Sequence, residues 1–186
     1  MSIRVIAGRY RGKRLKGPRG NELRPTSDRL RQTLFDILGA RLPDSRFLDA
    51  FAGTGAVGIE ALSRGAREVV FIESDPAACR LIHENLGICG ITGGYRLLEE
   101  DVFKSLRRLA REGCRFDLAF LDPPYHWGPY ADLIDLLFSG LLSGKDALAV
   151  CEHHGKARLP AESAAYRRVR LVAQGDKRLA FYAPIG

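Results

Sequence analysis

From Arg46 onward, short apolar runs alternate with amphipathic stretches. RFLDAF (46–51), EVVFIE (68–73), YRLLEED (95–101), FDLAFLD (116–122) and DALAVCE (146–152) read as strands, each short and rich in apolar residues. Between them, helical spacing runs near 55–64, 76–86, 103–111 and 130–138. Apolar strands separated by helices predict a parallel sheet covered on both faces. The chain finishes differently. YRRVRLVAQ (166–174), a GDK turn and RLAFYAP (178–184) predict an antiparallel hairpin. The expected fold is therefore α/β, a mostly parallel sheet of seven strands ending in that hairpin.

Ahead of this alternation, IRVIAG (3–8) and KRLKG (13–17), joined by RYRG, predict a small β-hairpin, and 17–27 is a loop by composition. SDRLRQTLFDILGARL predicts a helix with an apolar stripe of Leu30, Leu34, Ile37 and Leu38. Thr26 or Ser27 is placed to cap it, Asp28 sits in its first turn and Gly39 lies near its end. The chain divides into a basic hairpin extension, 1–25, and one domain, 26–186.

Charge adds a second asymmetry. Residues 1–31 hold ten Lys and Arg against Glu22 and Asp28, while the remainder holds 19 basic and 20 acidic groups. The whole formal surplus of +7 thus sits in the N-terminal segment. So one-sided a block points to a polyanion, with Arg9, Arg11, Lys13, Arg14, Arg24 and Arg29 as candidate nucleic-acid contacts. Arg167, Arg168 and Arg170 form a second strip, either a solvated face or an RNA flank. No apolar run approaches a membrane span, and the N-terminus has no apolar signal core, so a cytoplasmic protein with no membrane partner is expected. Cys79, Cys89, Cys114 and Cys151 lack metal-ligand spacing and read as plain thiols in a reducing compartment. Glu152, His153 and His154 imitate a metal cluster, but neighbouring side chains on an extended chain point apart, so no metal is expected.

LDAFAGTGAVGIEAL (48–62) carries Gly53, Gly55 and Gly58 at G-x-G-x-x-G spacing, with Glu73 about 20 residues on, as a dinucleotide site would. Asp49 argues otherwise. A dinucleotide sets its pyrophosphate at this turn, where a carboxylate would repel it. S-adenosylmethionine has no phosphate and carries an ammonium and a sulfonium, which suit an acidic edge. Glu73 suits the ribose hydroxyls, and Asp101, expected at the next strand end, suits the adenine amine. These acids predict S-adenosylmethionine as the cofactor.

Asp122 is expected at the end of the fourth parallel strand, on the same edge, followed by Pro123, Pro124 and Tyr125. An exocyclic amine on a base is conjugated with its ring, so its lone pair is poorly available. The Asp122 carboxylate and the Pro123 carbonyl supply two acceptors for its hydrogens and aim the lone pair at a methyl donor. The prolines stiffen the loop, and Tyr125 offers a face for a base lifted from its stack. His126 and Trp127 extend that wall, or Trp127 simply packs on the sheet rim.

IRVIAGRYRGKRL, RPTSDRLRQTLFDIL, LDAFAGTGAVGIEALSRGA, VVFIESD, FDLAFLDPPY and the closing hairpin together resemble the RsmD-type family, almost from end to end. These are bacterial methyltransferases of a guanine exocyclic amine in small-subunit (16S) ribosomal RNA. The resemblance implies a Rossmann-like class I S-adenosylmethionine-dependent domain with an N-terminal hairpin. It implies cofactor contacts at Asp49, Phe51, Gly53, Gly55, Glu73, Ser74, Asp101 and Val102, and catalysis at Asp122, Pro123, Pro124 and Tyr125. It also implies a partner, an assembled or partly assembled small ribosomal subunit, met by a monomer. Gln32 stands where Glu is commoner in the family, which touches only a local contact.

Three other readings compete. An adenine-specific DNA amino-methyltransferase shares D-P-P-Y, but the chain has no room for a separate sequence-reading domain. A non-enzymatic RNA-binding protein would not need Asp49, Glu73 and Asp122. An NAD oxidoreductase conflicts with Asp49 and lacks a substrate domain.

Overall fold

The basic N-terminal segment folds as β1 (Ile3–Arg4) paired antiparallel with β2 (Arg14–Leu15) in the computed structural model, which describes residues 3–18, 28–124, 127–142 and 144–185. Ile3, Val5 and Leu15 turn inward while Arg4 and Arg14 face solvent, the two-residue alternation of a strand. Those inward residues join the same apolar cluster as helix α1 (Asp28–Leu38), so the hairpin shares a core with the rest of the chain.

On α1 the buried face is Leu30, Arg31, Leu34, Phe35 and Leu38, with Ile37 only half-buried. The expected stripe is thus rotated toward Phe35, whose ring packs 6.4 Å from Phe47 and lies under the Arg64 guanidinium at 5.0 Å. Each buried apolar side chain there stabilises by about 1.5–3 kcal/mol. The cap expected at Thr26 or Ser27 lies outside the described residues.

The alternation then unfolds in order: β3 (Arg46–Ala50), α2 (Ala56–Ser63), β4 (Glu68–Ile72), α3 (Pro76–Cys89), β5 (Tyr95–Leu98), α4 (Val102–Arg111), β6 (Leu118–Leu121), α5 (Tyr130–Phe138) and β7 (Leu148–His154). Strand β8 (Tyr166–Gln174) and β9 (Lys177–Pro184) close the chain. The sheet order is β5-β4-β3-β6-β7-β9-β8, parallel from β5 to β7 and antiparallel at β7–β9 and β8–β9. The later hairpin strand, β9, inserts beside β7 and leaves β8 at the edge. Burial explains this: Leu179 to Tyr182 on β9 are buried, whereas β8 exposes Val169 and Leu171.

Alternate residues of each strand feed two cores. Phe47, Val69, Phe71, Phe120 and Val150 pack under the hairpin, α1, α2 and α3, while Leu48, Val70, Ala119 and Ala149 pack under α4 and α5. Gly58 permits a close helix–sheet approach, since a Cβ there would lie 2.2 Å from the Phe71 ring. The strand order reverses between β3 and β6, and at such a point the carboxyl ends of the strands open onto a crevice. Helix α3 runs three residues past the expected end, to Gly90 in the left-handed region. Among the described residues no helix is long and apolar enough to cross a membrane.

Candidate active site

Asp49 lies one residue before the end of β3 and is almost fully buried, its Oδ2 accepting a 2.8 Å hydrogen bond from Gly58 N–H. Burial pushes its carboxyl well above the ordinary carboxylate range, against the lowering effect of the Gly58 bond, and the charges of Asp122 and Glu73 push the same way. Three acids from β3, β4 and β6 therefore share one electrostatic neighbourhood. Concentrated negative charge of this kind is eased by a cation.

Glu73 follows β4 and braces the glycine turn. Its Oε2 accepts from Gly53 N–H at 2.8 Å, and its Oε1 accepts from Ser74 and Asp75 N–H, each at 2.8 Å. Gly55 is the N-cap of α2. Phe51, at φ +63, adopts the left-handed conformation rare for a side chain of its size, directly after β3. Its ring meets Trp127 edge-on at 5.3 Å, so its side chain packs against the β6–α5 connection.

Asp101 departs from the expectation that it ends a strand. Strand β5 stops at Leu98, and Asp101 is instead the N-cap of α4, its Oδ1 accepting from Lys104 N–H at 3.1 Å. The helix needs an acceptor for its first free N–H groups, and Asp is well suited to that place. Its carboxylate remains exposed at the β5 side of the crevice, while Val102 buries its side chain in the core.

Asp122 comes one residue after β6 and is half-buried; its N–H points to Ala50 O of β3 at 3.4 Å. Pro123 is buried and Pro124 exposed, with Pro124 O accepting from Trp127 N–H at 2.9 Å. Tyr125 and His126 lie outside the described residues. Trp127 is rim packing: it stacks on Phe103 at 5.9 Å and meets Tyr130 edge-on at 5.2 Å as well as Phe51. The Tyr130 phenol is pushed up to about 12 by burial, with Cys151 and Asp122 adding to it.

Glu152, His153 and His154 are engaged structurally. Glu152 pairs with Lys177 of β9, and the His153 ring Nδ1 lies 2.9 Å from His154 O. Among the described residues no group of three or more His, Cys, Asp or Glu side chains is placed to hold a metal ion, and all four cysteines are free thiols.

The basic candidates Arg9, Arg11, Lys13, Arg14 and Arg29 are all exposed; Arg24 lies outside the described residues. Sequence reasoning missed what docks their hairpin. Fully buried Glu60 of α2 accepts from Ile6 N–H at 2.7 Å, Ala7 N–H at 3.0 Å and the Arg64 guanidinium at 2.7 Å. Ser63 Oγ accepts from Tyr10 N–H at 2.9 Å, and Gly8, at φ +80, lies against Ser63, where a Cβ would stand 1.9 Å from its carbonyl oxygen. Buried Asn85 of α3 accepts from Lys16 N–H at 2.7 Å and donates to Lys16 O at 3.0 Å and Thr54 O at 2.9 Å. One amide thus joins the hairpin to the glycine turn. The available signal was Glu60 itself, an acid in the middle of the otherwise uncharged AVGIEALS. Gln32 Oε1 accepts from Arg64 at 3.4 Å, the local contact its position touches.

A doubly wound sheet with acids clustered at the carboxyl ends of β3, β4 and β6, and a D-P-P loop beside them, defines a Rossmann-like methyltransferase. The chain belongs to the RsmD family: the family model described as "Conserved hypothetical protein 95" matches residues 3–183. It is 35% identical to the ribosomal RNA small subunit methyltransferase D of Escherichia coli K12, over 94% of this chain and 92% of that protein. The solved structure of yhhF from Escherichia coli superposes with a TM-score of 0.84 at 34% identity, covering 99% of this chain and 98% of that one. A Streptococcus mutans protein described as an S-adenosylmethionine-dependent methyltransferase shares the fold at 16% identity, with a TM-score of 0.69 over 88% of this chain and 50% of its own.

Proposed function

We propose that the protein methylates the exocyclic amine of a guanine in small-subunit ribosomal RNA, using S-adenosylmethionine, and acts as a cytoplasmic monomer on an assembled or partly assembled small subunit. The observation that carries this is the convergence of Asp49, Glu73 and Asp122 on one edge beside a basic hairpin docked onto the cofactor turn. The family relatives named for ribosomal RNA methylation support the same substrate class.

When bound, the cofactor supplies an electrophilic methyl on a cationic sulfur. Glu73, with three of its roughly four acceptor sites taken by main-chain N–H groups, has one left for a ribose hydroxyl, Asp101 stands at the adenine side, and Asp49 lends charge from beneath the glycine turn. Asp122 and the Pro123 carbonyl hold the two amine hydrogens and turn the nitrogen lone pair toward the methyl. The methyl would pass to the nitrogen as its bond to sulfur breaks, the electron pair staying on the now neutral sulfur of S-adenosylhomocysteine, and Asp122 or water would take the surplus proton from the amine. Positioning of this kind supplies several kcal/mol of the barrier reduction, of the order of 7 or more in favourable cases.

Incubating the protein and labelled cofactor with under-modified small subunits, deproteinised small-subunit rRNA and DNA, then digesting to nucleosides, tests the reading. N2-methylguanosine from the RNA is expected. N6-methyladenine from DNA would transfer the protein to the competing class.

Asp49 gives a second test. Burial raises its carboxyl, and a cation favours its ionised form, so binding of the cationic cofactor should release a proton. Affinity should therefore rise with pH from the ordinary carboxylate range up to Asp49's raised value and then level off. Calorimetry in buffers of different ionisation enthalpy, kept below about pH 7 so that an α-amino group stays protonated, measures the release. A binding enthalpy independent of buffer contradicts the role given to Asp49.

A further inference from the structure

A groove of about 710 Å³ opens on the opposite side of Asp122 from Asp49 and Glu73. One wall is the β6–α5 connection with Trp127 and Tyr130; the other is the turn after β7, with His154, Lys156 and Arg158. Its nearness to the reacting centre is set by the sheet. Strands β6 and β7 pair with Leu121 beside Cys151, and burial raises both the Cys151 thiol and the Tyr130 phenol, with the Asp122 charge adding to each.

The basic wall is built rather than loose. Gly155 N–H donates to Asp176 O at 2.8 Å, fixing the turn to the β8–β9 connection, and Ala157 N–H donates to His154 O at 2.9 Å. Lys156 N–H donates to His154 Nδ1 at 3.1 Å, tying the turn to its own first residue. Among the described residues no acid lines the groove, and neither Lys156 nor Arg158 is in an ion pair. The volume falls within the range of about 300–1,000 Å³ usual for small-ligand sites, room for a nucleotide.

We infer that this groove binds the phosphodiester backbone of the RNA strand next to the methylated guanine, with Lys156 and Arg158 as its phosphate contacts. The inference rests on the proposed function. With the cofactor acids on β3 and β4, the acceptor strand reaches Asp122 from the β7 side, and that route crosses this groove. Ammonium and guanidinium groups held on a fixed turn meet phosphates without reading sequence. The groove therefore positions the strand while the D-P-P loop holds the base.

The test is the full-length Lys156→Ala/Arg158→Ala variant, compared with wild type on under-modified small subunits and in binding to deproteinised small-subunit rRNA. Expected are a KM for the RNA about tenfold higher, a salt slope shallower by about 2, and unchanged kcat, S-adenosylmethionine affinity and melting temperature. Exchanging the two charges as Lys156→Arg/Arg158→Lys should restore KM. A wild-type KM and salt slope in the double Ala variant overturns the inference. So does a defect on assembled subunits with wild-type binding to deproteinised rRNA, because the groove then meets protein. A wild-type enzyme that leaves small-subunit RNA unmethylated strikes the proposed function instead, and the rRNA-binding arm still reports on the groove.

Discussion

Asp122→Ala is expected to lower the rate of methyl transfer by about 10³-fold or more while S-adenosylmethionine affinity stays within a few-fold of wild type. The split follows from placement. Asp122 lies beyond β6, across from the glycine turn, and the bonds that brace that turn come from Glu73 and Asp49. Removing the carboxylate deletes the proposed acceptor for the amine and leaves the turn intact. Asp122→Asn keeps an acceptor oxygen without the charge, so an intermediate loss is expected. Single-turnover assays beside calorimetric cofactor titration separate the two quantities. Turnover equal to wild type in the Ala variant removes the acceptor role.

Neutralising Arg9, Arg11, Lys13 and Arg14 together is expected to weaken binding to small-subunit rRNA on the order of 100-fold near physiological salt and to flatten the salt slope by about 3. The four side chains are exposed, and the hairpin docks through main-chain groups: Ile6 and Ala7 N–H on Glu60, Tyr10 N–H on Ser63 Oγ and Lys16 on Asn85. Removing the charges therefore leaves the dock in place, and any loss belongs to the RNA. Filter binding across a salt series measures it, and a wild-type slope in the variant refutes the basic-hairpin assignment. Asn85 connects this surface directly to the glycine turn, because the amide that holds Lys16 also holds Thr54 O there.

The strands and helices were legible because each follows a short-range period. FDLAFLD reads as a buried strand from composition, and α5 begins and ends where its spacing says. Asp101 was misplaced because a strand end and a helix cap both attract an acid, and only Glu99 and Glu100 separate the two. The stripe on α1 was misread for a different reason. Phe35 is drawn inward by Phe47, a contact between elements that no local period encodes. Trp127 could be read either as a base-stacking wall or as rim packing; Phe51, Phe103 and Tyr130 make it packing.

The sequence by itself determined the α/β alternation, the basic N-terminal block, the acids and the D-P-P loop, because propensity, charge and motif chemistry are local properties. Only the tertiary structure decided that β9 rather than β8 pairs with β7, that Glu60 and Asn85 dock the hairpin, and that a basic groove opens beside Asp122. The physical reason is the same in each case. Strand order, buried hydrogen bonds and grooves arise between residues far apart in the chain, where burial selects among pairings that local pattern leaves equal.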